Sequence, residues 1–198
     1  MSLRHRARGW LVRLAGVSVS LELPGVRLAW SGPRVDPLTG LPDRRALEVS
    51  LEAACRRGAA LLFVDLDRFK RVNDARGHAA GDAVLVEVGA RLRAWRRPGE
   101  QVGRWGGDEF LAVLPGADLE HARSRADDLL VRLRAPVPFE RRPLEVTASA
   151  GLAAIATGGA VDALLHDADR ALYAAKARGG DRAAHAPPRL VRVLPVLD

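Results

Sequence analysis

The chain has 198 residues, of which 48% are hydrophobic and 28% charged, so it can bury a core and is not a disordered or collagen-like chain. One cysteine, Cys55, excludes a disulfide framework and a cysteine-rich zinc module. The net charge is +7, and residues 1–35 hold six arginines against one acid. Because the rest is close to neutral and has no long uncharged apolar run, neither nucleic-acid binding nor membrane insertion is expected.

Hydrophobic patterns and turn residues predict strands alternating with helices. Alternating stretches on either side of Pro24-Gly25 predict a β-hairpin within residues 1–35, a possible dimerising element, and residues 36–198 are expected to form the main domain. The main domain is predicted to contain a helix over 42–57, a strand over 59–67, a helix over 82–96, strands over 102–105 and 110–114, a helix over 117–134, a strand over 144–154, a helix over 161–177 and a tail strand over 189–196. This order predicts a two-layer α/β (α+β) domain with a central mixed sheet.

Residue usage marks several positions before any motif is considered. The chain has 29 arginines but only two lysines, Lys70 and Lys176, and its single asparagine is Asn73. Because the chain uses arginine for most of its positive charges, we infer that the two lysines have roles that arginine cannot fill. By the same reasoning, the single asparagine has a role that aspartate cannot fill. These three residues are therefore candidate site residues. Trp105 and Tyr173, the single tyrosine, are expected to lie in the core.

Carboxylates cluster at two predicted strand ends. Asp65 and Asp67 flank Leu66, so their side chains point to the same face of an extended strand. The predicted hairpin turn carries Asp108 and Glu109 beside two glycines. Carboxylates from neighbouring strands suit hard cations such as Mg2+, and glycines allow a phosphate to approach the backbone. The pattern predicts phosphoryl or nucleotidyl transfer.

Five sequence blocks occur in a fixed order along the chain. They are DPLTGLPDRR at 36–45, FVDLDRFK with ND and GH within 63–78, RWGGDEF at 104–110, VTASAG at 146–151 and ADRALYAAK at 168–176. Together they resemble the GGDEF family of diguanylate cyclases. The resemblance implies a fold similar to the palm of nucleotidyl cyclases and polymerases. It also implies Mg-dependent condensation of two GTP molecules into cyclic di-GMP and two pyrophosphates by a homodimer.

The resemblance also implies roles for the acidic residues. Asp65 and Asp108, assisted by the carbonyl group of Leu66, are expected to hold Mg2+ or Mn2+. Asp108 corresponds to the base that acts on the attacking 3′ hydroxyl group, and Glu109 supports it. Lys70 is expected to stabilise the charge that develops on the phosphate.

Substrate contacts are implied at seven positions: Phe69, Asn73, His78, Asp82, Gly106, Gly107 and Lys176. Asn73 and Asp82 are expected to read the guanine edge, and Lys176 to hold the phosphates. An aspartate accepts hydrogen bonds from guanine N1 and N2, whereas adenine presents an acceptor at N1. Asp82 therefore favours GTP as the substrate.

Two departures from the family pattern bear on function. Gly180 stands where many active members have a phosphate-binding arginine, and this loss is expected to cost about 1.5–3 kcal/mol, or roughly ten- to a hundredfold in binding. The family's product-binding inhibitory site is an Arg-x-x-Asp stretch, and here Arg97 is followed by Glu100 instead. Because glutamate is longer, weakened product inhibition is expected.

Three functional classes follow. The first is an active cytoplasmic diguanylate cyclase, and the second is a catalytically weak or silent domain that binds GTP or cyclic di-GMP as a regulatory module. The third, an adaptor that binds nucleic acid or a membrane surface through its basic N-terminal segment, has the least support. A signal peptide is not expected because Arg13 interrupts the apolar stretch, and the single cysteine suits a reducing cytoplasm.

Overall fold

The computed structural model describes the backbone of residues 18–23, 26–31 and 34–185 and the side chains of residues 34–185. The chain divides into two units, Met1–Arg34 and Val35–Asp198. In the first unit, β1 (Ser18–Leu23) pairs with β2 (Val26–Ser31) in antiparallel register, in agreement with the predicted hairpin. The predicted tail strand over 189–196 lies outside the described residues.

Within the described residues, the main unit has the predicted helices and strands in the predicted order, together with a helix over 69–76 and a strand over 183–185 that were not predicted. Its described elements are α1 (Arg44–Cys55), β3 (Ala59–Leu66), α2 (Phe69–Arg76), α3 (His78–Trp95), β4 (Gln101–Gly106), β5 (Glu109–Pro115), α4 (Leu119–Leu133), β6 (Ala148–Ile155), α5 (Val161–Ala177) and β7 (Ala183–His185). The bounds of α5 are the predicted ones, and α1 begins later because the Asp43 side chain caps it by accepting a hydrogen bond from Ala46 N. The strand predicted from residue 144 begins at Ala148, since Leu144 forms an isolated bridge with Val137.

The five strands of the main unit form one mixed sheet in the order β4-β5-β3-β6-β7. The central strand β3 runs antiparallel to both of its neighbours, and β7 runs parallel to β6. The register places Asp65 of β3 opposite Glu109 of β5 on one side and Ser149 of β6 on the other. The predicted mixed sheet is therefore confirmed, and it aligns three polar residues across adjacent strands.

Helices cover both faces of this sheet. Along β3, Leu62 and Val64 pack with α3 and α4, whereas Leu61 and Phe63 pack with α1 and α5. All eight residues of β3 are buried, as expected for a strand with two covered faces. The α/β fold class is confirmed, but the sheet is the middle of three layers rather than one of two.

The close approach of α5 to the sheet depends on Gly151 of β6. A Cβ atom at this position would lie 2.0 Å from the Ala168 carbonyl oxygen and 2.3 Å from the Leu172 nitrogen, both in the backbone of α5. A side chain at this position would push the helix away from the strand. Gly151 therefore fixes how near α5 lies to β6, the neighbour of the strand β3 that carries Asp65.

One sequence-based expectation is wrong, and one helix was missed. The helix α2, between Asp67 and Gly77, was not predicted because it has only eight residues and none of them is buried, although Phe69 and Val72 pack against the core. Tyr173 was expected in the core, but its exposed fraction is 77%. Among the residues that the structure describes, no helix is long and apolar enough to span a bilayer.

Candidate active site

The site lies at one edge of the sheet face that packs against α5. At this edge the apolar side chains of the face give way to a row of polar side chains. On β3 this face carries Leu61 and Phe63 and then Asp65. In the register, Glu109 and Ser149 are the partners of Asp65 on the two neighbouring strands. Alternation of side chains along three paired strands thus brings two carboxylates and a hydroxyl group to one edge of the α5 face.

Asp65 is buried and contacts one cation. Its Oδ1 atom lies 2.6 Å from the Lys176 Nζ atom, and the side chains of Asp65 and Lys176 are 10% and 41% exposed. Burial raises the pKa of Asp65 and the Lys176 ammonium group opposes that shift, while the charges of Asp108 and Asp67 add to it. The structure therefore brings together the predicted metal ligand Asp65 and the predicted phosphate-binding Lys176.

More negative charge surrounds this pair than Lys176 can balance. Burial raises the pKa of Glu109, and the charges of Asp65, Asp108 and Asp169 raise it further, with Lys176 acting in the opposite sense. Asp169 lies on α5, seven residues before Lys176 and so on the same side of the helix. The sequence analysis missed Asp169, although its spacing from Lys176 could have indicated it. The surplus of carboxylates favours binding of a further cation.

The turn between β4 and β5 is open to solvent at its glycines. A Cβ atom at Gly106 or Gly107 would meet nothing within 4 Å, and Gly107 has a φ of +49°. The Leu66 nitrogen donates a hydrogen bond of 3.3 Å to the carbonyl oxygen of Asp108, which joins this turn to the end of β3. The two predicted substrate-binding glycines therefore form an uncovered backbone segment next to Asp65 and Asp108.

Arg104 fixes the conformation of the glycine turn. Its Nε and Nη2 atoms donate to the Gly107 carbonyl oxygen at 2.9 and 2.7 Å, and its Nη1 atom lies 3.1 Å from both carboxylate oxygens of Asp36. Burial acts to raise the pKa of Asp36, but hydrogen bonds from Thr39 and Arg104 outweigh it and lower the pKa. Arg104 thus connects the first predicted motif block to the turn, a role that the sequence analysis missed.

Asp67 belongs to a second cluster, a set of hydrogen bonds with a structural role. Its carboxylate accepts hydrogen bonds from the Thr147 hydroxyl group at 2.7 Å, the Ser149 hydroxyl group at 2.7 Å and the Asp181 nitrogen at 2.8 Å. Gly180 has a φ of +75°, and a Cβ atom there would lie 2.7 Å from Asp67 Oδ1. The carboxylate of Asp67 therefore holds the turn after α5, and it occupies the space that a side chain at position 180 needs.

The residues predicted to read guanine lie on the two helices after β3. Asn73 is half-buried on α2, while His78 and Asp82 are exposed in the first turns of α3. Gly81 makes room for Asn73, because a Cβ atom at Gly81 would lie 2.0 Å from Asn73 Oδ1 and 3.1 Å from the Phe69 ring. Phe69 packs against the core, and its substrate role stays a prediction.

Lys70 lies in the first turn of α2 and is exposed, five residues after Asp65. No described contact joins Lys70 to the carboxylates, so its proposed action on phosphate stays a prediction.

The predicted inhibitory site has a different environment from the one expected. Glu100 is 7% exposed, and its carboxylate accepts hydrogen bonds from Arg125 Nε at 3.1 Å and Nη2 at 2.8 Å and from the Arg97 nitrogen at 2.6 Å. The Arg125 guanidinium also lies 3.7 Å from the centre of the Trp95 ring. Arg97 itself is exposed. The Glu100 carboxylate is therefore engaged in the fold, and a product-binding role for Arg97 and Glu100 stays a prediction.

The donor set fits a divalent cation that shares its ligands with a substrate. Within residues 34–185, no group of three or more His, Cys, Asp or Glu side chains has the arrangement of a complete metal cage. Mg2+ is usually held by one or two carboxylates together with substrate phosphates and water. Buried Asp65 and half-buried Asp108 and Glu109 supply hard oxygen atoms and surplus negative charge beside an open backbone turn, which suits that mode of binding.

Comparison with known proteins identifies the family. The profile described as "Diguanylate cyclase, GGDEF domain" matches residues 34–182. The match covers most of the chain, which therefore belongs to the GGDEF domain family, and the resemblance stated from the sequence blocks is confirmed.

A curated relative and two solved structures show how far the similarity extends. The chain is 45% identical over 158 residues to the diguanylate cyclase DgcP of Pseudomonas aeruginosa. This aligned region covers 74% of this chain and 23% of DgcP. The GGDEF domain of TpbB (YfiN) from P. aeruginosa has a TM-score of 0.72 and 38% identity, covering 77% of this chain and 94% of that one. The structure of the coiled coil and GGDEF domain of DgcB from Caulobacter crescentus, in complex with c-di-GMP, has a TM-score of 0.72 and 27% identity. The alignment covers 77% of this chain and 85% of that one. The chain thus spans less than a quarter of the length of DgcP.

Proposed function

We propose that the chain is a diguanylate cyclase that condenses two GTP molecules into cyclic di-GMP and two pyrophosphates. The observation that supports this most strongly is the meeting of Asp65, Asp108 and Glu109 at one sheet edge, beside Lys176 and an open glycine turn. Family membership and relatives named diguanylate cyclase support the same reaction. GTP is a cytoplasmic nucleotide, so we place the reaction in the cytoplasm.

In this proposal Asp65 and Asp108, with the Leu66 carbonyl group, hold Mg2+ or Mn2+. When bound there, the cation would supply positive charge that offsets the charge of the triphosphate and so favours displacement of pyrophosphate. Asp108 accepts the proton of the attacking 3′ hydroxyl group and Glu109 supports it. Burial and the charges of Asp65 and Asp108 raise the pKa of Glu109, and a cation bound beside these carboxylates would oppose that shift.

The remaining site residues position the nucleotide. Lys176 binds phosphate oxygens, Lys70 stabilises the charge that develops on the reacting phosphate, and the Gly106-Gly107 backbone lets the phosphates approach closely. Asn73 and Asp82 read the guanine edge, and His78 lies between them along the chain. The lack of a side chain at Gly81 supports this arrangement because it lets Asn73 lie against α3.

A homodimer is part of the proposal. Each site holds one GTP, and the two nucleotides have to face each other for both phosphodiester bonds to form. The rate per protein molecule is therefore expected to rise with protein concentration. The product is expected to inhibit only weakly, because the carboxylate of Glu100 is already bound to Arg125.

A weak or silent domain that binds GTP or cyclic di-GMP is the second candidate. The Gly180 position favours it, since the phosphate-binding arginine is missing and Asp67 fills the adjacent space. Such a domain binds GTP and leaves it unreacted, which separates the two candidates in one assay.

Product formation tests the choice. Purified protein is incubated with GTP and Mg2+ and the nucleotides are separated by ion exchange. Cyclic di-GMP is expected from the unmodified chain, none from Asp108→Ala, and a normal amount from Glu52→Ala, which removes an exposed carboxylate on α1. Retention of GTP without product would favour the silent domain, and equal turnover by Asp108→Ala would remove Asp108 from the mechanism.

A further inference from the structure

Lys176 contacts the same carboxylate that the proposed function assigns to the metal. The distance from its Nζ atom to Asp65 Oδ1 is 2.6 Å, within the range of a strong charge-assisted hydrogen bond. Asp65 is almost fully buried, whereas Lys176 is substantially exposed. Lys176 is therefore the more accessible partner of this pair, and Asp65 is the buried one.

A divalent cation and the Lys176 ammonium group compete for this carboxylate. Both are attracted to the same oxygen atoms, and they repel each other at the few ångströms that one carboxylate allows. Asp65 belongs to the central strand and has paired neighbours on both sides, so it stays in place. Lys176 has a flexible four-carbon side chain near the end of α5, so it is the partner that can move.

A triphosphate offers Lys176 another partner. Lysine binds phosphate as a compact point charge, so phosphate oxygen atoms near the glycine turn can replace Asp65 as its acceptor. Transfer of the ammonium group to phosphate frees the Asp65 carboxylate at the moment when the nucleotide arrives.

We propose that Lys176 is a positioning residue that occupies Asp65 until a triphosphate draws it away, so that nucleotide and divalent cation bind cooperatively. The inference rests on the proposed function only in assigning Asp65 to the metal. Because coupling between two ligands is reciprocal, the nucleotide strengthens metal binding and the metal strengthens nucleotide binding by the same factor. Lys176 thereby disfavours binding of a metal ion alone.

Titration with Mn2+ in the absence of nucleotide tests the competition directly. Free Mn2+ is followed by electron paramagnetic resonance, which reads binding without any turnover. Lys176→Met is expected to bind Mn2+ about tenfold more tightly than the unmodified chain, because Mn2+ no longer has to displace the ammonium group. A tenfold change in affinity corresponds to a change in binding free energy of about 1.4 kcal/mol. Lys176→Arg keeps a cation at the carboxylate and is expected to stay within about twofold of the unmodified chain.

Arg178→Met is the matched control for net charge. Arg178 caps the C-terminal end of the same helix and is exposed, two residues after Lys176. Its removal changes the charge by the same amount without touching Asp65, so the Mn2+ affinity is expected to stay unchanged. An equal gain in both methionine variants, or no gain in Lys176→Met, would overturn the inference.

Asp65→Asn separates this inference from the proposed function. Loss of Mn2+ binding in Asp65→Asn together with unchanged affinity in Lys176→Met contradicts the competition alone. Normal Mn2+ binding by Asp65→Asn contradicts the assignment of Asp65 to the metal, and with it the proposed function. Circular dichroism checks that each variant is folded, and Lys176→Gln replaces Lys176→Met if the methionine variant is not.

Discussion

Replacing Gly151 by alanine tests whether the approach of α5 to β6 sets the geometry of the site. The added Cβ atom would lie 2.0 Å from the Ala168 carbonyl oxygen, whereas ordinary contact begins near 3.4 Å. Because the clashing atoms belong to the helix backbone, no side-chain rotation relieves the overlap. The helix therefore has to retreat from the strand by about 1.4 Å.

This retreat affects stability and the site together. Overpacking of a close contact costs about 1–3 kcal/mol. In a domain of this size each 1 kcal/mol lowers the melting temperature by roughly 2–4 °C. The same displacement moves α5, and Lys176 with it, away from the place where Lys176 is proposed to bind the triphosphate. We expect the initial rate of cyclic di-GMP formation to fall about tenfold or more, because small displacements of positioned groups have large effects on rate.

Thermal melting and initial rates measure the two effects of Gly151→Ala. Ala154→Val is the control, because it adds a larger side chain at an exposed position of the same strand and is expected to change neither quantity. A Gly151→Ala variant that melts and reacts like the unmodified chain would refute the reasoning that this close approach positions α5.

Three other substitutions test structural roles. Asp36→Ala removes a partly buried ion pair and is expected to lower the free energy of unfolding by about 1.5–3 kcal/mol. The pKa of Asp36 is lowered in the fold, so the stability that its carboxylate contributes is lost only as the pH falls through that lowered pKa. The difference in unfolding free energy between the unmodified chain and Asp36→Ala is therefore expected to persist in urea unfolding from pH 8 to 5 and to shrink below about pH 4. An unchanged difference at about pH 3 would contradict this reasoning. Gly180→Arg is expected to lower the melting temperature without raising activity above that of the unmodified chain, because Asp67 fills the space; higher activity with an unchanged melting temperature would show that the turn adapts. Glu100→Ala leaves the buried Arg125 guanidinium with only the Trp95 carbonyl oxygen at 3.0 Å and the Asp128 carboxylate at 3.7 Å, and is expected to cost about 1.5–3 kcal/mol in urea unfolding; unaltered stability would remove its structural role.

The main features of the site follow from local sequence patterns. An apolar run that ends in Asp65 and a glycine turn that carries Asp108 and Glu109 are both local signals, and antiparallel pairing of β3 with β5 brings them together. The bounds of α5 follow from its hydrophobic periodicity, which also places Lys176 near its end. The sequence therefore predicts the carboxylate cluster, whereas the contact of Lys176 with Asp65 arises from the packing of α5 against the sheet.

Contacts between distant parts of the chain could not be predicted in the same way. Asp36 and Arg104 are 68 residues apart, and Asp67 and Asp181 are 114 residues apart, so no spacing rule relates them. The exposure of Tyr173 depends on how α5 is rotated against the sheet, which the close contact at Gly151 helps to fix. These features arise from tertiary packing, which local propensity does not determine.

Dependence of turnover on protein concentration tests the central claim, that two copies each bring one GTP to a Mg2+-dependent carboxylate site. The rate of cyclic di-GMP formation per protein molecule is measured over a dilution series at saturating GTP and Mg2+, with pyrophosphate release recorded in parallel. We expect this rate to fall on dilution and two pyrophosphates to appear for each cyclic dinucleotide. Absence of any cyclic dinucleotide at every protein concentration would contradict the account.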